Sequence, residues 1–191
     1  MAKRILVVLS EWGYWGEELI GPLDVLTKAG YQLDFMTAFG RKPPALPPSM
    51  EEGYLDPPLN KVVTDSHYAK RTTEVHESNL LDNPINLSEN ISLMPYFNGP
   101  NFGLELAAFH ERREEFWKEF VDPYDALLLP GGSGPMVDMV NNERLHNLIL
   151  GYVDRDKLIA AECYCVTCLA FARDWTERKS IIWGKHVTGH A

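Results

Sequence analysis

Apolar positions along the chain fall into short continuous runs separated by stretches with helical spacing. Residues 5–9 (Ile-Leu-Val-Val-Leu) form such a run, rich in β-branched side chains. That is the pattern of a strand buried on both faces. After a turn at 13–16, apolar residues recur at 19, 20, 23, 25 and 26. The spacing predicts a helix over 17–29, closed by Gly30 as its C-cap. Residues 31–39 return to strand character, so the chain opens with a β-α-β unit. Such a unit implies two parallel strands and a right-handed crossover.

The stretch from 40 to about 100 breaks the pattern. It is rich in Pro, Asn, Asp and Ser, with Pro-Pro at 43–44, 47–48 and 57–58. A long irregular insertion inside one domain reads as a cap over a site. Residues 101–120 then predict an amphipathic, charged helix, and 124–130 a buried strand. Gly-Gly-Ser-Gly at 131–134 ends that strand. Helical patterning resumes over 136–152 with a break at Asn141-Asn142. Strand 157–163, helix 166–174 and a further strand at 183–188 complete the reading. Strands alternating with helices place the fold in the α/β class, a mainly parallel, doubly wound sheet with helices on both faces. Ligands of such sheets bind at the carboxyl ends of strands. Three features fall at those ends: the turn at Glu17-Glu18, the loop at Gly131-Gly132, and Cys163.

At 191 residues the chain reads as a single domain, 1–191. Eighteen Lys and Arg against 27 Asp and Glu give a net charge of −9. That balance argues against nucleic-acid binding and against a polybasic membrane-surface role. No apolar run approaches the roughly 18 residues of a membrane span. The basic N-terminus is followed by too short a run for a signal peptide. Three cysteines at 163, 165 and 168 are too close together to staple distant segments. The expected compartment is therefore a reducing cytoplasm. The spacing C-x-C-x-x-C lacks the second, separated pair that a zinc site uses, so no metal is expected. His186 and His190 would share a face only on a helix, and their β-branched surroundings read as strand.

Cys163 follows a strand directly and precedes a helix, the form of a nucleophile elbow. The helix N-terminus is expected to lower the thiol pKa, and its free N–H groups to hold an oxyanion. The plain alternative is a buried structural thiol.

Residues 5–37, 127–139 and 158–172 together resemble the DJ-1/PfpI superfamily of class I glutamine amidotransferase-like proteins. The segment Gly-Gly-x-Gly-Pro-Met-x-Asp at 131–138 is closest to its Hsp31-like branch. The resemblance covers 4–38 and 124–189, and the 40–100 cap only loosely. It implies a flavodoxin-like sandwich, a reactive cysteine at the elbow (Cys163), and a carboxylate from the first helix beside it. That carboxylate falls four residues before a proline, at Glu18 before Pro22. A protonated Glu18 would donate to the thiolate and shuttle a proton. Otherwise Glu18 is a solvated first-turn residue. Gly131 and Gly132 would offer backbone N–H groups to an oxyanion, or simply form a tight turn. The implied activity is a cofactor-free lyase, hydratase or hydrolase acting on a small electrophilic substrate. Superfamily members also include redox sensors and chaperones, the rival reading.

Three positions depart from the family pattern. Tyr164 stands where the branch carries a histidine, which argues against peptidase chemistry; its hydroxyl and N–H could position substrate. Cys165 stands where glycine is usual, and its side chain should crowd the elbow. Glu162 replaces an apolar residue and is either a second acid/base group or turned away from the thiol. In relatives, the segment matching 184–189 is followed by a strand and a long helix. Here only His190 and Ala191 follow. The resemblance thus implies a second polypeptide, a cleavage product or subunit, and a homo- or hetero-oligomer. His190 would then stand in for the histidine absent at 164.

Overall fold

The computed structural model describes residues 3–96 and 99–190. Its centre is a five-stranded sheet built from β1 (Arg4–Val8), β2 (Gln32–Thr37), β5 (Ile85–Asn86), β6 (Ala126–Leu129) and β7 (Leu158–Ala161). The order is β5-β2-β1-β6-β7, and every neighbouring pair is parallel. Around it stand α1 (Gly16–Lys28), α2 (Ser66–Glu77), α3 (Leu87–Asn90), α4 (Phe102–Phe120), α5 (Pro135–Asp138), α6 (Glu143–Asp154) and α7 (Val166–Phe171). A small antiparallel hairpin, β3 (Leu55–Asp56) with β4 (Lys61–Val62), lies outside the sheet.

The two-residue period of the strands sorts the core into two layers. Leu6, Val8, Leu127 and Leu129 point to one face, where Phe109, Phe116 and Phe120 of α4 and Leu148 and Ile149 of α6 cover them. Ile5, Val7, Ala126 and Leu128 point to the other, beneath Leu19, Ile20 and Leu23 of α1 and Val75 of α2. This is the flavodoxin-like, doubly wound α/β sandwich. The chain winds from β1 outward to β2 on one side and to β6 on the other. The crevice at the carboxyl ends of β1 and β6 is therefore the switch point.

Two expectations need correction. The stretch 40–100 is not uniformly irregular: it holds a short 3-10 turn (Pro47–Met50), the hairpin, all of α2, and the edge strand β5. Asp65 caps α2 by accepting from Tyr68 N at 2.9 Å. The helix escaped the periodicity because its buried residues, Ala69, Thr72 and Val75, are mostly small or polar. The segment 183–188 forms no strand. A turn after Ser180 directs it back over the start of α7, where Gly189 lies against Val166. Among the described residues nothing pairs with the outer edge of β7, where Leu158 is 67% exposed.

Candidate active site

The elbow forms where β7 ends. Glu162 N donates to Leu129 O at 3.1 Å, the last bond between β6 and β7, and Cys165 N then donates to Glu162 O at 2.9 Å. Between them Cys163 adopts φ +50°, a left-handed conformation that non-glycine residues rarely take. Strain of this kind persists only where the surroundings enforce it, and it aims the side chain off the sheet. Cys163 is half-buried there.

The Gly131-Gly132 loop closes over the thiol. Gly131 N donates to Glu18 Oε2 at 2.7 Å, and Trp15 N donates to Gly131 O at 3.1 Å. A methyl group on Gly131 would stand 2.6 Å from Cys163 Cβ and 2.7 Å from Glu18 Oε2. Only glycine fits so close an approach. Gly132, at φ +96°, gives its N–H to the Cys163 sulfur, as does Tyr164. The Glu18 carboxyl completes the ring of hydrogen bonds around that sulfur. The N–H groups at the sulfur are thus those of Gly132 and Tyr164. Gly131, expected among them, instead holds Glu18, because α1 brings that carboxylate to its N–H first.

Electrostatics oppose the expected thiolate. Burial pushes the Cys163 thiol up, as does the Glu18 charge, and the Gly132 and Tyr164 N–H groups offset only part of this. The expectation of a lowered pKa fails because α7 has only six residues and begins beyond the 3-10 turn Cys163–Cys165. Its dipole is too short and too distant to prevail. Burial likewise raises Glu18, against the bonds from Cys163 and Gly131. Glu162 is raised by burial and then by Glu18 and Glu17, so it belongs to the same acidic group. The Glu18 charge thus disfavours the Cys163 thiolate, whereas the hydrogen bond with Cys163 favours the charged form of Glu18.

His190 reaches the same place. Its ring stacks on Tyr164 with centroids 4.4 Å apart, and its backbone N–H donates to Cys163 O at 3.4 Å. Its proximity also favours the charged form of Glu18. Cys165 and Cys168 are fully buried beneath the elbow. Among the described residues no three His, Cys, Asp or Glu side chains gather as a metal site would require. An apolar cavity of about 460 Å³ lies elsewhere, between Met94, Phe102, Leu150 and Trp175.

Sequence reasoning missed Ser10 and Asp138. The Asp138 carboxylate accepts from Ser10 Oγ at 2.6 Å and Glu11 N at 2.9 Å. These bonds tie the loop after β6 to the end of β1, with Gly134 pressed against Gly13 and Ser10. The signal was the final Asp of the Gly-Gly-x-Gly-Pro-Met-x-Asp segment.

The parallel α/β sandwich places the chain in a known class. The chain belongs to the ThiJ/PfpI-like family, whose sequence model matches residues 9–189. The Rapid Encystment Protein of 24 kDa from Francisella tularensis is 21% identical, with a TM-score of 0.62 over 98% of this chain and 69% of that one. Glyoxalase III from Candida albicans is 16% identical, with a TM-score of 0.51 over 99% of this chain and 68% of that one. At these identities the likeness is one of fold. No curated protein matches the sequence.

Proposed function

We propose that the protein is a cofactor-free enzyme of the Hsp31-like kind, in which the Cys163 thiolate adds to an electrophilic carbon of a small substrate. The observation that carries this reading is the Cys163 sulfur at its strained elbow, bonded by Gly132 N–H, Tyr164 N–H and the Glu18 carboxyl. An α-oxoaldehyde suits that arrangement. Transfer of the thiol proton to Glu18 frees the thiolate, which adds to the aldehyde carbon to give a hemithioacetal oxyanion. The Gly132 and Tyr164 N–H groups receive that charge. Glu18 returns its proton to that oxygen and, as carboxylate, takes the proton from the former aldehyde carbon. It delivers this proton to the neighbouring carbon, whose carbonyl oxygen receives the hemithioacetal hydroxyl proton. This leaves a 2-hydroxy thioester that water hydrolyses to the 2-hydroxy acid and the free Cys163 thiol. Glu162 and His190 lie close enough to Glu18 to bias where its proton rests.

The rival reading, a redox sensor or chaperone, draws on the half-exposure of Cys163. A sensor needs thiolate at rest, however, and burial beside Glu18 disfavours it. The cytoplasm suits three free thiols. The unpaired edge of β7 supports a second polypeptide as partner. The test of the main reading is turnover of methylglyoxal to lactate by purified protein with nothing added. Cys163→Ala should lower it by about 10³-fold or more. Turnover unaffected by that substitution, or no turnover of any α-oxoaldehyde by a protein whose Cys163 alkylates readily, would sink it.

A further inference from the structure

The peptide unit between Pro130 and Gly131 is held at both ends. Its N–H, on Gly131, donates to Glu18 Oε2 at 2.7 Å. Its carbonyl, on Pro130, accepts from the Cys165 thiol at 3.1 Å. That carbonyl lies one residue past the last ladder bond between β6 and β7, the one accepted by Leu129 O. The strand no longer fixes it, and Gly131 on its far side has no Cβ to resist a rotation of the plane. A flip of this plane would withdraw the Gly131 N–H from Glu18 and turn Gly132 away from the Cys163 sulfur.

Cys165 is placed for this task. It follows Cys163 by two residues in the 3-10 turn, is fully buried, and hydrogen-bonds with Cys168 one turn further on. We propose that Cys165 is a positioning residue whose buried thiol fixes the Pro130–Gly131 peptide plane, and with it both the Glu18 contact and the N–H presented to Cys163. A raised pKa keeps that thiol protonated and hence a donor at neutral pH. The role is separate from the reaction itself: Cys165 touches no reacting atom. It rests on the reading of Cys163 and Glu18 as the reacting pair.

The test compares Cys165→Ala, which loses the donor, with Cys165→Ser, which keeps one. Two readouts are taken: the pH midpoint of Cys163 alkylation by iodoacetamide, mapped by fragmentation, and hydrogen exchange at the Gly131 amide. In C165A the midpoint should rise by about one unit, the worth of a hydrogen bond to a charged group. The Gly131 amide should exchange faster, and C165S should restore both. A C165A protein with a lower Tm but an unmoved midpoint and unmoved exchange would make Cys165 merely structural and overturn the proposal. Equal effects in C165A and C165S would overturn it too. If Cys163 resists alkylation in every variant while Gly131 exchange follows the donor, the positioning role stands and the nucleophile reading falls. Should C165A fail to fold, the equal-shaped pair Cys165→Thr and Cys165→Val makes the same comparison.

Discussion

Three carboxyl groups near the elbow, Glu18, Asp138 and Glu162, are all raised by burial above their ordinary values. The folded chain therefore keeps their protons to higher pH than the unfolded chain does. Each contributes stability that is present in acid and lost as the pH rises through its folded value. Glu18→Gln cannot ionise, yet its amide oxygen still accepts from Gly131 N–H. At pH 7 this variant should melt at a higher temperature than the parent, the gap closing below about pH 4.5, the ordinary Glu value. Its turnover should be lost, the usual exchange of stability for function at a strained site. A lower Tm at pH 7, with the same deficit in acid, would show that the carboxylate only braces the loop. Cys163 and Glu18 were legible as residues because their motifs name them. The direction of the thiol shift was not, since it depends on burial and on a charge from another element. The partner of the Gly131 N–H was hidden for the same reason: which acceptor it meets is decided by α1, far away in sequence.

The elements that carry the site are held by close contacts that composition hides. Gly16 opens α1 against α2, and a methyl group there would lie 2.2 Å from Thr72 Oγ1 and 2.8 Å from Thr72 Cβ. Arg71 of α2 reaches across to Asp24 of α1 at 2.8 Å. Because Glu18 is one turn from Gly16 or less, any separation of these helices moves the carboxyl. Gly16→Ala should destabilise the protein by about 1–3 kcal/mol, as overpacking does, read as a lower urea midpoint with an unchanged slope. Reduction of Thr72 to Ala in the same chain should recover the part of that loss due to Thr72 Oγ1 and Cγ2. An additive double variant would show that the two residues do not press on each other. The long helices and central strands were readable because their apolar periods are strong. α2 and the fold-back of 183–188 were not, because small buried residues leave no period and a segment's path over α7 is a tertiary matter. The short helix α5 and the start of α6 were readable at their junction, where Asn142 caps α6 through Arg144 N at 3.0 Å and Leu145 N at 3.3 Å.

At the scale of the molecule, the sheet has two unlike margins. On one side the short β5 closes the edge beside β2. On the other, β7 offers a full strand whose outer groups meet no neighbour among the described residues. Beside that edge a cavity of about 290 Å³ is lined by Val153, Ile159, Leu169, Ile181 and Ile182, together with Asp156, Lys157 and Lys185. An open, apolar strand edge invites pairing with another chain. The proposed partner is therefore a second polypeptide that adds a strand along β7, close to the elbow that β7 itself leads into. Native-state light scattering checks this directly: the mass should exceed the 21.7 kDa of one chain. Leu158→Lys places a charge at the start of the edge, where the parent side chain is 67% exposed. That substitution touches little within the chain, so its Tm should change little while the larger species dissociates. Methylglyoxal turnover should fall with dissociation if the added strand helps hold β7, and so Cys163, in place. A single 21.7 kDa species, fully active and indifferent to Leu158→Lys, would remove the partner from the account and leave the β7 edge solvated.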